Sequence, residues 1–311
     1  MKVLILGYQK RSGVCETIEV LRPQIERCAE IVLEDLTGTK PLDDIQADVA
    51  LVFGGDGSIL RAVKQMGARQ LPVLPINLGR LGFLADVAPE DLIEKLWVLS
   101  EFILLAGASW SDDCLEKKHF GASRVSENHF LISEHRLLDC IVSGPSFEGE
   151  PRSALVMNEV AIQNAAFHIM EVKLYADGEF VTTYSCDGLI LSTPIGSTAH
   201  NLSAGGPILR QGLDVVVISP IAPHTLTYRP VVDSARRTFQ LNVISKNIET
   251  ATVVDGKILA KITPEDTVLV RPSNVSFKML NVPGYSYYRT LQKKLGWSGQ
   301  PRYGKEKSKG H

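Results

Sequence analysis

One junction, from Val49 to Met66, constrains the fold of this chain more than any other stretch. An apolar run over residues 49–53 predicts a buried strand, and it stops at Gly54-Gly55. Ser58 is a plausible N-cap for a helix that continues to Met66. A strand that ends in glycines and opens a helix brings backbone N–H groups close to a bound phosphate. The junction therefore predicts an α/β unit with a phosphate-binding turn.

Asp56 lies in the middle of this turn, where its carboxylate would repel an anion. A carboxylate is useful there if it takes a proton from a hydroxyl or faces a metal-bound phosphate. We therefore expect phosphoryl transfer centred on Asp56. The alternative at this point is a strand–turn–helix junction with a purely structural aspartate.

The first part of the chain alternates strands with helices. Further strands are predicted over residues 2–6, 30–33 and 71–76, and a helix reaches Cys28 with apolar residues at spacings of three and four. Another helix is predicted from Pro89 to Leu99. Strands alternating with helices indicate an open parallel sheet with right-handed crossovers, a Rossmann-like α/β domain. Lys10 and Arg11 follow the first strand, where such sheets bind ligands, although an exposed basic loop is the more common reading.

The second part of the chain predicts one strand after another, with almost no helical period. We expect an all-β, sandwich-like C-terminal domain, with a final helical segment that packs back on the N-terminal domain. The predicted strands cover residues 130–142, 153–162, 168–176, 189–192, 215–218, 239–244, 252–254, 267–271 and 275–280. The predicted divisions are an α/β domain over 1–130 with an irregular insertion or loop at 106–130, a β-rich dinucleotide-binding domain over 131–282, a helical segment over 283–303 and a tail over 304–311.

Composition excludes several classes of function. A net charge of -2 gives no basic field for nucleic acid or for an anionic membrane, and no apolar run approaches a transmembrane length. The five cysteines are an odd number with no Cys-x-x-Cys pair, which favours reduced thiols in the cytoplasm. The seven histidines form no metal-ligand motif. No protein-bound metal site is expected.

Polar clusters in the second part are candidates for ligand contact. Asn158-Glu159 closes an apolar strand and could bind the two hydroxyls of a ribose, although a strand-end pair that bonds to the backbone is the simpler interpretation. The loop over 185–207 is rich in small and turn-forming residues, and a helix could start at its Gly196-Ser197-Thr198 stretch. Asp255-Gly256 is most simply a hairpin turn.

Taken together, these motifs resemble those of NAD kinases in order and spacing. The resemblance covers roughly residues 1–100 and 130–297. It rests on Gly54-Gly55-Asp56-Gly57, Asn77 to Leu84, Asn158-Glu159, Asp187 to Pro207, Pro223 to Leu226 with Arg229-Pro230, Asp255-Gly256 and Leu291 to Trp297.

The resemblance implies transfer of the terminal phosphoryl of ATP, or of polyphosphate, to the adenosine ribose 2′-hydroxyl of NAD, giving NADP. Asp56 would be the general base, and Mg²⁺ or another divalent cation would arrive with ATP. The phosphates would lie on Gly54, Gly55, Gly57 and Ser58. The residues implied to bind NAD are Asp56, Gly57, Arg61, Phe83, Asn158, Glu159, Asp187, Thr198, Ala199, His200, Asn201, Leu202 and Ser203.

Within that set the resemblance assigns finer roles. Asn158 and Glu159 would hold ribose groups, and Phe83 would pack against a ring. Arg61 would face a phosphate. Asp187 would reach the nicotinamide amide, often from a neighbouring subunit, so a homodimer or homotetramer is expected. The adenine pocket would be lined by Thr198, Ala199 and Ser203.

Three residues differ from the family pattern at positions that the resemblance places near the substrate. Ile195 stands where Thr or Ser is usual, His200 replaces a common Tyr, and Ser185 replaces a frequent Arg. Two alternatives stay open: a lipid (diacylglycerol-type) kinase that shares the Gly-Gly-Asp-Gly motif, and a non-catalytic dinucleotide-binding regulator. The two parts of the site belong to different domains, so we expect it in the cleft between them.

Overall fold

A computed structural model describes residues 1–79, 82–85, 87–105, 131–164, 169–245, 249–282 and 286–297. Its N-terminal part alternates strands and helices as predicted. The elements are β1 (Lys2–Leu6), α1 (Val14–Cys28), β2 (Glu30–Asp35), β3 (Val49–Gly54), α2 (Asp56–Met66), β4 (Val73–Asn77), a short 3₁₀ helix (Pro89–Asp91) and α3 (Leu92–Leu105). The four strands pair in parallel in the order β2-β1-β3-β4. The predicted parallel sheet is confirmed.

Helices cover both faces of this sheet because side chains alternate along each strand. In β1, Val3 and Ile5 belong to one buried cluster with the apolar side of α1. Leu4 and Leu6 point to the other face and join a second cluster with α2. The carboxyl ends of β1 and β3 therefore meet the start of α2 at one edge, where open α/β sheets bind ligands.

Strands dominate the described C-terminal part, as expected for an all-β domain. They are β5 (Leu131–Ser143), β6 (Arg152–Val156), β7 (Glu159–Asn164), β8 (Met170–Ala176), β9 (Glu179–Cys186), β10 (Gly188–Ser192), β11 (Val215–Ile221), β12 (Val231–Ser234), β13 (Phe239–Val243), β14 (Thr250–Val254), β15 (Lys257–Ile262) and β16 (Thr267–Asn281). Short helices interrupt them: 3₁₀ turns at Pro145–Phe147 and Gly196–Thr198, α4 (His200–Ser203) and the final α5 (Tyr287–Leu295).

Two sheets organise these strands. One has six strands in the order β12-β11-β10-β7-β14-β15, and every pairing in it is antiparallel. The other continues the N-terminal sheet through β16, β13, β8 and β9, with β5 and β6 attached at β16. Apolar residues from both sheets form one buried cluster between them. This two-layer packing agrees with the sandwich-like domain that the sequence predicts.

β16 joins the two parts of the molecule. The sequence predicts two strands, over 267–271 and 275–280, but the structure has one strand whose pairing with β5 shifts register between Pro272 and Ser276. The separate strands were wrong because Pro272 interrupts the hydrogen-bond ladder without ending the strand. Past this irregularity, Met279 pairs in parallel with Val73 of β4.

One predicted strand is in fact two. The sequence indicates a single strand over 153–162, but β6 ends at Val156 and β7 begins at Glu159. The intervening Met157 and Asn158 donate their backbone N–H groups to the Asp255 carboxylate instead of to a neighbouring strand. This break brings the Asn158-Glu159 pair to the end of the six-stranded sheet.

Some predictions fall outside the described residues. The insertion or loop expected at 106–130 and the tail at 304–311 are among them, as is the domain boundary at residue 130. The other proposed domain limits stay predictions. No helix in the described ranges is both long and apolar enough to span a membrane.

The first test concerns the core that both parts share. Phe277 of β16 is fully buried in the cluster that also holds the apolar side of α2. We expect Phe277→Ala to lower the free energy of unfolding by about 3–5 kcal/mol, since it leaves a cavity. Phe180→Ala on β9 is the matched control, because that ring is 53% exposed, and it should change stability by less than about 1 kcal/mol. Urea denaturation measures both, and equal losses would contradict the shared core.

Candidate functional site

Gly54 and Gly55 form a turn, called the glycine turn below, through which β3 passes directly into α2. Gly54 has φ +144°, and a Cβ on it would lie 2.0 Å from Ser58 Oγ. The helix begins at Asp56, with Gly55 before it, and no side chain caps its N-terminus. The predicted N-cap at Ser58 was therefore wrong. Ser58 lies inside the first turn of the helix, where its backbone N–H donates to Gly55 O at 2.8 Å. The serine fits there because Gly54 has no Cβ.

Asp56 is held by the segment that follows β4. Its carboxylate accepts backbone N–H bonds from Phe83 (2.8 Å), Leu84 (3.1 Å) and Ala85 (3.3 Å). A Cβ on Gly82 would lie 2.2 Å from Asp56 Oδ1, so only glycine fits beside the carboxylate. A carboxylate offers about four lone-pair positions. The three N–H bonds fix the orientation of the Asp56 carboxylate. About one acceptor position remains, and it can accept a hydrogen bond from a ligand.

An arginine lies against the same turn. A Cβ placed on Gly55 or Gly79 would lie 3.1 or 3.2 Å from a terminal nitrogen of Arg11. No carboxylate of the described residues forms an ion pair with this guanidinium. Arg61, the arginine that the resemblance places at a phosphate, has its guanidinium carbon 3.8 Å from the centre of the Tyr8 ring. Among the described residues, Arg11 is thus a cation in contact with the glycine turn.

Asn158 and Glu159 lie where a turn and a loop meet. The backbone N–H groups of Met157, Asn158 and Glu159 all donate to the Asp255 carboxylate, at 3.1, 2.7 and 3.1 Å. On the other side, a Cβ on Gly196 would lie 2.1 Å from Asn158 O. Asp255 is in the predicted hairpin turn between β14 and β15. It also fixes the polar pair, a role that sequence reasoning missed because its partners lie about a hundred residues away.

Glu159 is a buried carboxyl group that is short of partners. Only 5% of the residue is exposed, and Oε2 has no hydrogen-bond partner within the described part of the chain. Burial, and then the charge of Asp255, raise the pKa of Glu159 to about 7, while the His200 N–H and the charge of Lys64 act against the rise. A buried polar atom without a partner is costly unless a ligand supplies one. Glu159 is therefore suited to bind a ligand hydroxyl.

The loop after β10 is held together from inside. The fully buried Asn201 donates to Ser197 O (3.0 Å) and Pro207 O (3.1 Å), and it accepts from Ser219 Oγ (2.7 Å). Its side chain therefore stabilises the loop. The surface that remains for a ligand is half-buried at Thr198, Ala199, His200 and Leu202 and exposed at Ser203.

Ile195, which departs from the family pattern, is a packing residue. It is 5% exposed and belongs to the buried cluster that also contains Ile59 and Val63 of α2 and Met157. The loop thereby packs against the helix that begins at Asp56. An isoleucine in place of the usual Thr or Ser therefore adds an apolar side chain to the core between the two parts of the molecule.

Asp187 lies at the opposite end of β10 from Glu159. It precedes β10, whereas Glu159 pairs with Ser192 at the opposite end of that strand. Asp187 is five residues from Ser192, which corresponds to roughly 16 Å along an extended strand. Asp187 Oδ1 lies 3.2 Å from Nε2 of His224. The structure thus does not bring Asp187 to Glu159 within one chain.

The C-terminal helix packs back on the N-terminal part, as expected. Lys294 Nζ lies 5.1 Å from the centre of the half-buried Phe83 ring, and Gln211 Nε2 donates to Phe83 O at 3.4 Å. Tyr287 donates its hydroxyl to Leu209 O at 2.9 Å. Both parts of the molecule therefore contact the segment that holds Asp56. Within the described residues, no cluster of three or more His, Cys, Asp or Glu side chains could hold a metal ion.

Glu159 generates a prediction on pH and stability. Its pKa is about 7 in the folded protein against an ordinary 4.5, so the folded state loses stability as pH rises from about 4.5 to 7. We expect Glu159→Gln to abolish this loss, so that the variant gains up to about 3 kcal/mol relative to wild type over that range. Denaturation at a series of pH values measures the difference, and exposed Glu179→Gln controls for removal of a surface carboxylate. A constant difference between pH 4 and 8 would contradict the account.

Comparison with known proteins identifies the family of this chain. The ATP-NAD kinase N-terminal domain model matches residues 11–101, and the corresponding C-terminal domain model matches 157–282. A curated relative named NAD kinase from Rhodopirellula baltica is 44% identical over 300 residues, 96% of this chain and 88% of its own length. One from Pseudomonas putida is 32% identical over 310 residues, 95% of each chain.

Solved structures show the same fold at lower identity. Yeast NADH kinase in complex with NADH matches with a TM-score of 0.76 and 20% identity over 98% of this chain and 90% of that one. An NAD kinase from Archaeoglobus fulgidus in complex with ATP matches with a TM-score of 0.65 and 24% identity over 96% of this chain and all of that one. Both halves of the sequence and the fold point the same way, and the chain belongs to the NAD kinase family.

Proposed function

We propose that this chain transfers the terminal phosphoryl group of ATP, or of polyphosphate, to the adenosine ribose 2′-hydroxyl of NAD, giving NADP. The observation that carries the proposal is the Asp56 carboxylate, fixed by three backbone N–H groups with one acceptor position free. It lies beside the Gly54-Gly55 turn and Arg11, which has no ion-pair partner among the described residues, and a donor phosphate would bind there. Membership of the family makes NAD kinase the favoured activity over a lipid kinase.

Asp56 accepts the proton of the 2′-hydroxyl while that oxygen attacks the terminal phosphorus of ATP. A new bond forms between the 2′-oxygen and phosphorus, the bond from phosphorus to the bridging oxygen breaks, and ADP leaves with those electrons. Gly54, Gly55 and Gly57 let the phosphates approach the backbone at the start of α2. Arg11 supplies a guanidinium that can bind phosphate oxygens in a bidentate manner.

NAD would lie between the two parts of the molecule. Glu159 and Asn158 bind ribose hydroxyls, for which the unpaired Glu159 Oε2 is a ready acceptor or donor. The half-buried surface at Thr198 and Ala199, with exposed Ser203, lines the adenine pocket, and Phe83 packs against a ring. His200 contributes its backbone N–H to Glu159 in addition to any contact with the ligand.

Mg²⁺ or another divalent cation would bind with the phosphates of ATP. Such an ion usually keeps several waters and binds substrate phosphates, so a metal carried by the donor would not need the acceptor position that Asp56 keeps for the 2′-hydroxyl. When bound, it neutralises phosphate charge. No described cluster suggests a separate metal cage.

A homo-oligomer in the cytoplasm is part of the proposal. Asp187 is half-exposed and far along β10 from Glu159, so it could reach the nicotinamide amide of NAD bound to a neighbouring subunit, in a homodimer or homotetramer. Cys15, Cys28, Cys140 and Cys186 are free thiols, which suits a reducing compartment. Neither a membrane nor a nucleic acid is a proposed partner.

The turnover assay tests the proposal directly. Purified protein with ATP, Mg²⁺ and NAD should form NADP, measured with an NADP-specific dehydrogenase. Asp56→Asn should lower kcat by at least ~10²-fold, because the amide cannot take the proton. NAD binding without NADP formation in the wild type would instead identify a regulator, and near-normal turnover of the variant would remove Asp56 from the base role.

Arg11 gives a separate test of the phosphate site. We expect Arg11→Gln to raise the KM for ATP by about tenfold or more, since it removes a charged hydrogen-bond donor from phosphate. The KM for NAD should change little. Lys10→Gln, an exposed neighbour in the same loop, is the matched control. Equal effects of the two variants would argue for a diffuse basic loop.

A further inference from the structure

We propose that the ion pair between Lys64 and Asp255 positions Asn158 and Glu159 relative to the helix that begins at Asp56. The pair joins the two parts of the molecule directly beside the site, and neither residue contacts substrate in our account. This inference rests on the proposed function. It adds two residues that act on NAD binding and turnover through other residues.

Asp255 is the centre of the arrangement. Its side chain is fully buried, and it accepts three backbone N–H groups, from Met157, Asn158 and Glu159. Its own N–H donates to Glu159 O at 3.0 Å. These four hydrogen bonds hold the backbone of the Asn158-Glu159 pair against the turn that contains Asp255. A simple hairpin turn does not need a buried carboxylate with these partners.

Lys64 connects that carboxylate to α2. Its Nζ lies 3.2 Å from Asp255 Oδ2 and 3.5 Å from Val254 O, and its side chain is 27% exposed. Lys64 follows Asp56 by eight residues in the same helix, which is about 12 Å along the axis. Because a helix of this length is stiff, its two ends move together. Asp56 and the Asn158-Glu159 pair are therefore connected through α2, Lys64 and Asp255.

The same two residues act on Glu159 electrostatically, and with opposite sign. The negative charge of Asp255 raises the pKa of Glu159, and the positive charge of Lys64 lowers it. Among the described residues, the His200 N–H also acts on this carboxyl and lowers its pKa, and the charge of Asp255 also raises the pKa of the buried Cys140 thiol. Removing either member of the ion pair should therefore shift the titration of Glu159 in a direction set by the charge removed. These shifts follow from the charges alone, so kcat/KM for NAD is the readout that tests positioning.

The experiment compares Asp255→Asn and Lys64→Met with wild type. Two readouts are used: the titration of Glu159, followed by ¹³C NMR of labelled glutamate carboxyls, and kcat/KM for NAD. We expect the Glu159 pKa to fall in Asp255→Asn and to rise in Lys64→Met. We expect kcat/KM for NAD to drop by roughly 10- to 100-fold in both, since a small displacement of positioning groups has effects of this size.

Controls separate positioning from loss of folding. Lys257→Met removes an exposed lysine from the same hairpin and should retain wild-type kcat/KM. Lys64→Arg keeps the charge and should recover most of the activity that Lys64→Met loses. The double variant Asp255→Asn with Lys64→Met should be no worse than Asp255→Asn alone, because both substitutions remove one interaction. Since Lys64 is partly exposed, its variant should fold even if Asp255→Asn does not.

Different results overturn different claims. Wild-type protein that forms no NADP removes the proposed function. Active wild type with unchanged kcat/KM in Lys64→Met removes the positioning role alone. A Glu159 titration that stays fixed, or that moves in the same direction in both variants, contradicts the electrostatic effect of the ion pair on Glu159.

Discussion

The parallel pairing of Met279 in β16 with Val73 in β4 joins the two parts of this molecule in one sheet. Through it the N-terminal sheet continues into the strands of the C-terminal part. The buried cluster beneath α2 draws on both parts, with Ile59 from the helix, Ile195 from the loop and Phe277 from β16. The relative position of the glycine turn and the Asn158-Glu159 pair is therefore set by a shared core.

Two aspartates use the same physical arrangement on either side of that core. Asp56 accepts the backbone N–H groups of three successive residues, 83–85, and Asp255 accepts those of 157–159. Each carboxylate fixes a segment that has left its strand. Helix α2 connects them, because Asp56 is its first residue and Lys64 pairs with Asp255. Two aspartates that each accept three backbone N–H groups, together with the helix between them, therefore fix the geometry of the site.

Local patterns predicted much of this fold. The apolar spacing of α1 and the glycines after β3 were sufficient, since both depend on residues near in sequence. Pro272 misled the prediction at β16 because only the pairing with β5 shows that the strand continues. The N-terminus of α2 was misplaced because the position of Ser58 depends on the space left by Gly54.

In the candidate site too, local patterns could be predicted and contacts between distant segments could not. Asp56 and Glu159 could be singled out because each is a polar residue that follows an apolar run in the sequence. Arg11 was seen only as one residue of a basic loop, and the clamping role of Asp255 was not seen at all. Both depend on contacts between distant segments, which no single sequence displays.

The most direct test of the central claim is the structure of this protein crystallised with NAD. We predict that the adenosine ribose 2′-oxygen lies about 2.6–3.2 Å from a carboxylate oxygen of Asp56, with the N–H bonds from residues 83–85 still in place. A 2′-oxygen beyond hydrogen-bond reach of Asp56, with another side chain beside it, would contradict the account.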